Sequence, residues 1–162
     1  MLKILTINIV CIGKIKETFF KDAISEYSKR LSRYCKLEIT ELPDEKIPNT
    51  PSAKTIEEIK EKECNNILSH IKKDSYIISL DLSGTQFSSE ALSKELENLS
   101  IYNSHITFII GGSLGLTKDV LSKSDKILSF SKMTFPHQLI RIFLLEQIYR
   151  SFKIKNNETY HK

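Results

Sequence analysis

No apolar run in the sequence is long enough to cross a bilayer; the longest hydrophobic stretches have the size of strands. The opening MLKILTINIVCIGK interrupts its apolar residues with Lys3, Thr6 and Asn8 and has no small-residue cleavage site, so it reads as a first strand rather than a signal peptide. A cytoplasmic protein is expected. Cysteine is scarce: Cys11, Cys35 and Cys64 are isolated, odd in number and share no metal-type spacing with the four histidines. Neither a disulfide framework nor a metal site follows, and the thiols read as small hydrophobes. Internal repeats, linkers and low-complexity segments are also absent. The net charge of +4 is too modest to announce a nucleic-acid binder by itself. What is present, 162 residues with 40% hydrophobic and 27% charged side chains, fits one soluble globular domain spanning 1–162.

Along the chain, strand-like and helix-like segments take turns. LKILTINIV is rich in β-branched residues, and the stretch from Gly13 to Tyr34 then sets Phe19, Phe20, Ala23, Ile24, Tyr27 and Leu31 near helical spacing. KLEITEL alternates as a second strand up to Pro43, and a proline-marked loop leads to a charged helix over 54–73 with Ile56, Ile59, Cys64 and Ile67 on one stripe. SYIISLDL is a nearly continuous apolar strand ended by Gly84. Ser88 or Ser89 caps the next helix, with Ala91, Leu92, Leu96 and Leu99 inward. HITFII, a short helix capped by Thr117, and KILSF follow. The alternation predicts an α/β domain, a mostly parallel sheet with helices on both faces. The last helix, PHQLIRIFLLEQIYRSFKI, opens on Pro136 and is apolar almost all round, which requires burial on two sides. A second copy of the chain is the expected cover for the outer side, making a homodimer.

Glycine is also scarce, with five in the chain, yet three of them fall at positions 111, 112 and 115, between an apparent strand and a helix. GGSLGLTK lacks the Gly-Lys-Ser/Thr ending of a phosphate-binding loop, and its spacing is not that of the dinucleotide fingerprint. A tight turn that exploits glycine's backbone freedom remains open beside a ligand-binding role. The segment LSFSKMTFPHQLIR follows the next strand and crowds Phe130, Met133 and Phe135 among Ser129, Ser131 and Thr134. A loop so apolar makes sense as the wall of a pocket, with its backbone groups hydrogen-bonding a ring or a ribose.

The order IIGGSLGL, then LSFSKMTFPHQLIRIFLLEQIYRSFKI, then a terminal YHK closely resembles the bacterial ribosomal large-subunit methyltransferase H family, within the SPOUT class of S-adenosylmethionine-dependent RNA methyltransferases. EYSKRL, LPDEK and KEKE extend the similarity over essentially the whole chain. The resemblance implies a homodimer whose C-terminal segment forms a trefoil knot, and methyl transfer to N3 of a pseudouridine in helix 69 of 23S rRNA on the assembled ribosome. It implies cofactor contacts at Leu80, Gly111, Gly112, Phe130, Ser131, Lys132, Met133, Thr134 and Phe135.

Methyl transfer to an imide-like N–H requires alignment of donor and acceptor, and either a general base or stabilisation of charge on the flanking carbonyls. The candidates sit late in the chain: His137, Arg141, Arg150, and the terminal pair Tyr160 and His161. An aromatic and a histidine in a polar tail have little core-building use, so the tail is expected to close over the target base, at the opposite subunit's site. RNA contact is expected from Lys14, Lys16, Arg30, Arg33, Arg150, Lys153 and Lys155 on phosphates. Two other readings stay open: a non-catalytic RNA- or ribosome-binding factor of the same fold, and a nucleotide-binding hydrolase.

Overall fold

The computed structural model describes residues 3–160. Along them run β1 (Thr6–Ile12), α1 (Thr18–Leu31), β2 (Lys36–Leu42), α2 (Ala53–Ser69), β3 (Tyr76–Thr85), α3 (Ser89–Tyr102), β4 (His105–Ile110), α4 (Lys118–Lys123), β5 (Lys126–Leu128) and α5 (His137–Lys155). The strands pair in parallel, in the order β2-β1-β4-β3-β5. Side chains alternate across a strand, so β1 sends Ile7, Ile9 and Cys11 to one face of the sheet and Val10 and Ile12 to the other. β4 does the same with Ile106, Phe108 and Ile110 against Ile109. Leu31 of α1, Leu92 of α3 and Leu144, Leu145 and Ile148 of α5 close the first face; Cys64 and Ile67 of α2 and Val120 of α4 close the second. Burial on both faces is why these strands read as unbroken apolar runs, and each such side chain contributes roughly 1.5–3 kcal/mol.

Several local details depart from the sequence expectation. Residues 13–17 are not helical; α1 begins at Thr18, and Phe19, off the apolar stripe, is two-thirds exposed at 66%. Ser88, rather than Ser89, caps α3 by accepting the Ala91 N–H (3.1 Å), while the Ser89 hydroxyl donates to Gln147 of α5. That phase turns Ala91 to solvent and buries Ser93, whose hydroxyl donates to the Ser151 carbonyl. Thr117 caps α4 by accepting from Val120. Gly84 does not end its strand. β3 continues to Thr85 through a register shift between Leu80 and Thr85, and a Cβ at Gly84 would stand 2.7 Å from the backbone of Ile127 and Leu128 in β5. The glycine is there because two backbones touch.

The three cysteines are buried and unpaired; burial pushes the Cys11 thiol up to about 11 and that of Cys35 up to about 12. Among the described residues no helix is long and apolar enough to cross a membrane.

Candidate functional site

In a parallel sheet the carboxyl ends of all strands share one edge, and ligands bind in crevices outside it. Here that edge holds a cavity of about 540 Å³. Leu80 at the end of the regular part of β3, Gly111 and Gly112 after β4, and Phe130, Ser131, Met133, Thr134 and Phe135 after β5 all line it. His137 and Ile140, a turn apart on α5, complete one side. Of the residues expected at a cofactor, Lys132 alone is not on the wall; it is exposed. Leu116 and Pro136, within the two quoted loop motifs but not singled out there as contacts, also line the cavity, as do Asp81 and Leu82, which no motif marks.

The two loops that form the walls are held by their own chain. After β4 the Gly115 N–H donates to the Gly112 carbonyl (3.1 Å), and Gly115 sits at φ +79°, where a side chain is strained. A Cβ at Gly111 would stand 3.0 Å from the Gly115 carbonyl carbon, and one at Gly112 would stand 2.9 Å from a carboxylate oxygen of Glu63 on α2. The glycines therefore serve the close packing of the loop on itself and on α2. After β5 the Ser129 N–H donates to the Thr85 carbonyl (3.0 Å), the Ser129 hydroxyl to the Ser131 carbonyl (3.0 Å), and the Met133 N–H to the Ser131 hydroxyl oxygen (3.0 Å). Phe135 meets Phe143 of α5 edge-on at 5.5 Å. A compact loop with an apolar inner surface results.

His137 seats against Gly13: a Cβ there would stand 3.1 Å from His137 Nε2, and Gly13 has φ +92°. Burial, then the Arg141 guanidinium, lower the imidazole's pKa below its ordinary 6.5, opposed by Asp44. His137 is thus neutral at pH 7 and able to accept a proton. Arg141 is placed differently from the expectation of a reacting group. It is 2% exposed and absent from the cavity wall. Its Nη1 donates to Glu41 Oε2 (2.8 Å) and its Nη2 to the carbonyls of Ile12 and Gly13 (2.7 Å each). The arginine ties the end of β1 to α5, a role no local sequence pattern announces.

Glu63 is a further residue that the sequence hides. It is 6% exposed, and burial, then Asp44 and Glu45, raise its carboxyl pKa. Its place in KEKE gives no sign of this.

Arg150 and Tyr160 lie at the other end of α5. Arg150 pairs with Glu146 (2.7 Å) and covers the Tyr160 ring at 4.9 Å, while the Tyr160 hydroxyl donates to the Glu146 carboxylate (3.0 Å). Tyr160 also meets Tyr149 edge-on at 5.0 Å. Thirteen helical steps separate His137 from Arg150, about 20 Å at 1.5 Å per residue. Within one chain the structure does not bring Arg150 or Tyr160 to the cavity wall. His161 lies outside the described residues.

Along α5 a second stripe of Leu139, Ile142 and Phe143 remains half-buried beside the fully buried Leu144, Leu145 and Ile148. On the cavity wall, which Ile140 of the same helix shares, Leu82 is 55% and Met133 71% exposed. Among the described residues no group of three or more His, Cys, Asp or Glu is placed to hold a metal.

Comparison with known proteins agrees with this architecture. The chain is 57% identical over 159 residues to the ribosomal RNA large subunit methyltransferase H of Clostridium perfringens, a match that covers 98% of this chain and the whole of that protein. The crystal structure of a tRNA (m1G37) methyltransferase from Aquifex aeolicus is similar with a TM-score of 0.51 at 15% identity, covering 91% of this chain and 69% of that one. A Haemophilus influenzae protein, described as a probable methylase family protein, is similar with a TM-score of 0.53 at 14% identity over 96% of this chain and 70% of that one. At such identities the likeness to the two solved structures is one of fold. A family model described as "Predicted SPOUT methyltransferase" matches residues 5–161, and with the full-length relative it shows that this chain belongs to the SPOUT methyltransferase family.

Proposed function

We propose that the protein methylates large-subunit ribosomal RNA, with S-adenosylmethionine as donor and N3 of a pseudouridine in helix 69 of 23S rRNA, on the assembled ribosome, as acceptor. One observation carries the reading: the glycine loop, the 129–136 loop and His137, expected at a cofactor and a reacting base, converge on one cavity. The name of the Clostridium perfringens relative supports the class of substrate. The trefoil threading and the cytoplasmic setting accompany the reading as consequences of the family resemblance.

The residues present fit the donor. A volume of about 540 Å³ lies within the roughly 300–1,000 Å³ of small-molecule sites, and its walls join apolar side chains to loop backbone. Phe130, Phe135 and Leu116 would enclose an adenine, and the backbone of Gly111, Gly112 and residues 130–135 would meet its polar edges. When bound, S-adenosylmethionine supplies an electrophilic methyl group on a sulfonium. The chain's part is alignment and proton transfer. Neutral His137, on the cavity wall, takes the proton from the acceptor N–H. Arg141 acts as a positioning residue: it fixes Gly13, against which His137 rests.

Arg150 and Tyr160 complete the site only from a second chain, because α5 sets Arg150 about 20 Å along its axis from His137; His161 follows Tyr160 in the sequence and is assigned the same role. The half-buried stripe Leu139, Ile142 and Phe143 is the surface for that homodimer.

The test uses ribosomes that lack the modification, labelled S-adenosylmethionine and nucleotide mapping of the product. Label is expected at one pseudouridine with the intact protein. A chain ending at residue 159 should bind the donor with unchanged affinity and transfer nothing. Binding of ribosomes without transfer would instead support a non-catalytic factor.

A further inference from the structure

Among the cations that the sequence offers for RNA, most are already committed. Arg30 pairs with Glu26, Arg150 with Glu146 and Lys153 with Glu158, and the Arg33 guanidinium lies over the Tyr34 ring at 5.8 Å. Lys14, Lys16 and Lys155 differ: all three are exposed and without an ion pair among the described residues, but Lys155 closes the far end of α5, whereas Lys14 and Lys16 follow Gly13, against which His137 rests.

The segment that carries them is nevertheless fixed. Gly13 donates its N–H to the Leu42 carbonyl (2.6 Å), and Arg141 holds the carbonyls of Ile12 and Gly13. Ile15, between the two lysines, is 7% exposed and donates its N–H to Glu41 Oε2 (2.9 Å), the same oxygen that Arg141 engages. Anchoring Ile15 inward leaves its two neighbours directed outward. The buried clamp thus turns a five-residue connection, 13–17, into a fixed arm beside His137, which itself lines the cavity. Of the nearby acids, Glu41 is neutralised by Arg141 and Glu45 by Lys62, while Asp44 and the arm's own Glu17 stand without an ion pair among the described residues.

We propose that Lys14 and Lys16, presented by the clamped 13–17 arm, are docking contacts for two backbone phosphates of the RNA that enters this site. The inference rests on the proposed RNA methylation. Lysine suits the task because a phosphodiester needs a point charge rather than base recognition, and a preordered arm loses little freedom on binding. Such contacts place the strand without reading its sequence, so they act before and apart from the methyl transfer.

The experiment measures methylation of unmodified ribosomes between 50 and 200 mM salt for the wild type and for Lys14→Gln/Lys16→Gln. Each phosphate contact contributes about 0.7–0.9 to the slope of log affinity against log salt. Over this fourfold range the double variant should therefore lose roughly tenfold less than the wild type in kcat/KM. Its KM for ribosomes rises at low salt, while kcat and donor affinity stay unchanged. A control, Lys3→Gln/Lys73→Gln, removes the same charge near the opposite edge of the sheet and should leave the salt slope as it was. An unchanged slope in the arm variant, or an equal change in the control, overturns the proposal. Absence of methylation by the wild type would overturn the underlying function instead.

Discussion

Replacing Arg141 with methionine should destabilise the protein by about 3–5 kcal/mol, set by the buried carbonyls that the guanidinium satisfies rather than by its ion pair. Two carbonyls, those of Ile12 and Gly13, lose their donor, and each buried orphan acceptor costs about 1–3 kcal/mol. Loss of the Glu41 pair adds little, because that side chain is 35% exposed and regains water. Arg141→Lys keeps the charge but not the planar fork, so it should recover roughly one hydrogen bond, about 1–2 kcal/mol. Urea unfolding at pH 7 with an unchanged m-value measures both differences. For a chain of this size the methionine variant should melt roughly 6–20 °C lower. A loss below about 1 kcal/mol would refute the clamp, and equal stability of the lysine variant and the wild type would refute the need for a fork.

Gly84→Ala should cost about 1–3 kcal/mol, a melting shift of roughly 2–12 °C, because the new methyl meets the β5 backbone rather than a side chain that can move; an unchanged melting temperature would contradict the contact. The acid limb of kcat/KM should fall below pH 6.5, since burial and Arg141 keep His137 neutral in the free enzyme, and His137→Gln should lower kcat by about 10²–10⁴. A limb at or above 6.5 would assign the base elsewhere. Glu63 has a folded pKa above its ordinary 4.5, so the native state binds the extra proton and stability declines as pH rises from 4.5 through the raised value. Glu63→Gln should accordingly melt higher than the wild type at pH 8 and not at pH 4; the reverse order would show the carboxylate to be stabilised.

The fold was legible because hydrophobic period decides it. HITFII and the Ile7–Ile12 run have sheet faces on both sides to fill, and Thr117 stands where a cap is needed. What stayed hidden depends on distant residues. Arg141 reads as an ordinary helical charge until Glu41, a hundred positions earlier, and the turn after β1 arrive beside it. Glu63 looks like its neighbours in KEKE until Gly112 lands on it. Ala91 was assigned to the wrong side of its helix because a small apolar residue was counted with Leu92, Leu96 and Leu99, although at about 100° per residue it falls off the stripe they form, whose buried side includes Ser93. The loops of the candidate site carried apolar content that marked a wall, yet which groups face each other across it is a property of the strand order β2-β1-β4-β3-β5.

One rod of nineteen residues, α5, carries His137 at its first position and the pairing of Glu146 with Arg150 near its last turns. It works as a gauge block between two workplaces: an inserted residue in its middle would turn everything beyond by about 100° and advance it by about 1.5 Å. Length along this rod is consequently as constrained as any side chain on it, and shortening or lengthening it would spoil both ends together while leaving each end's own residues intact.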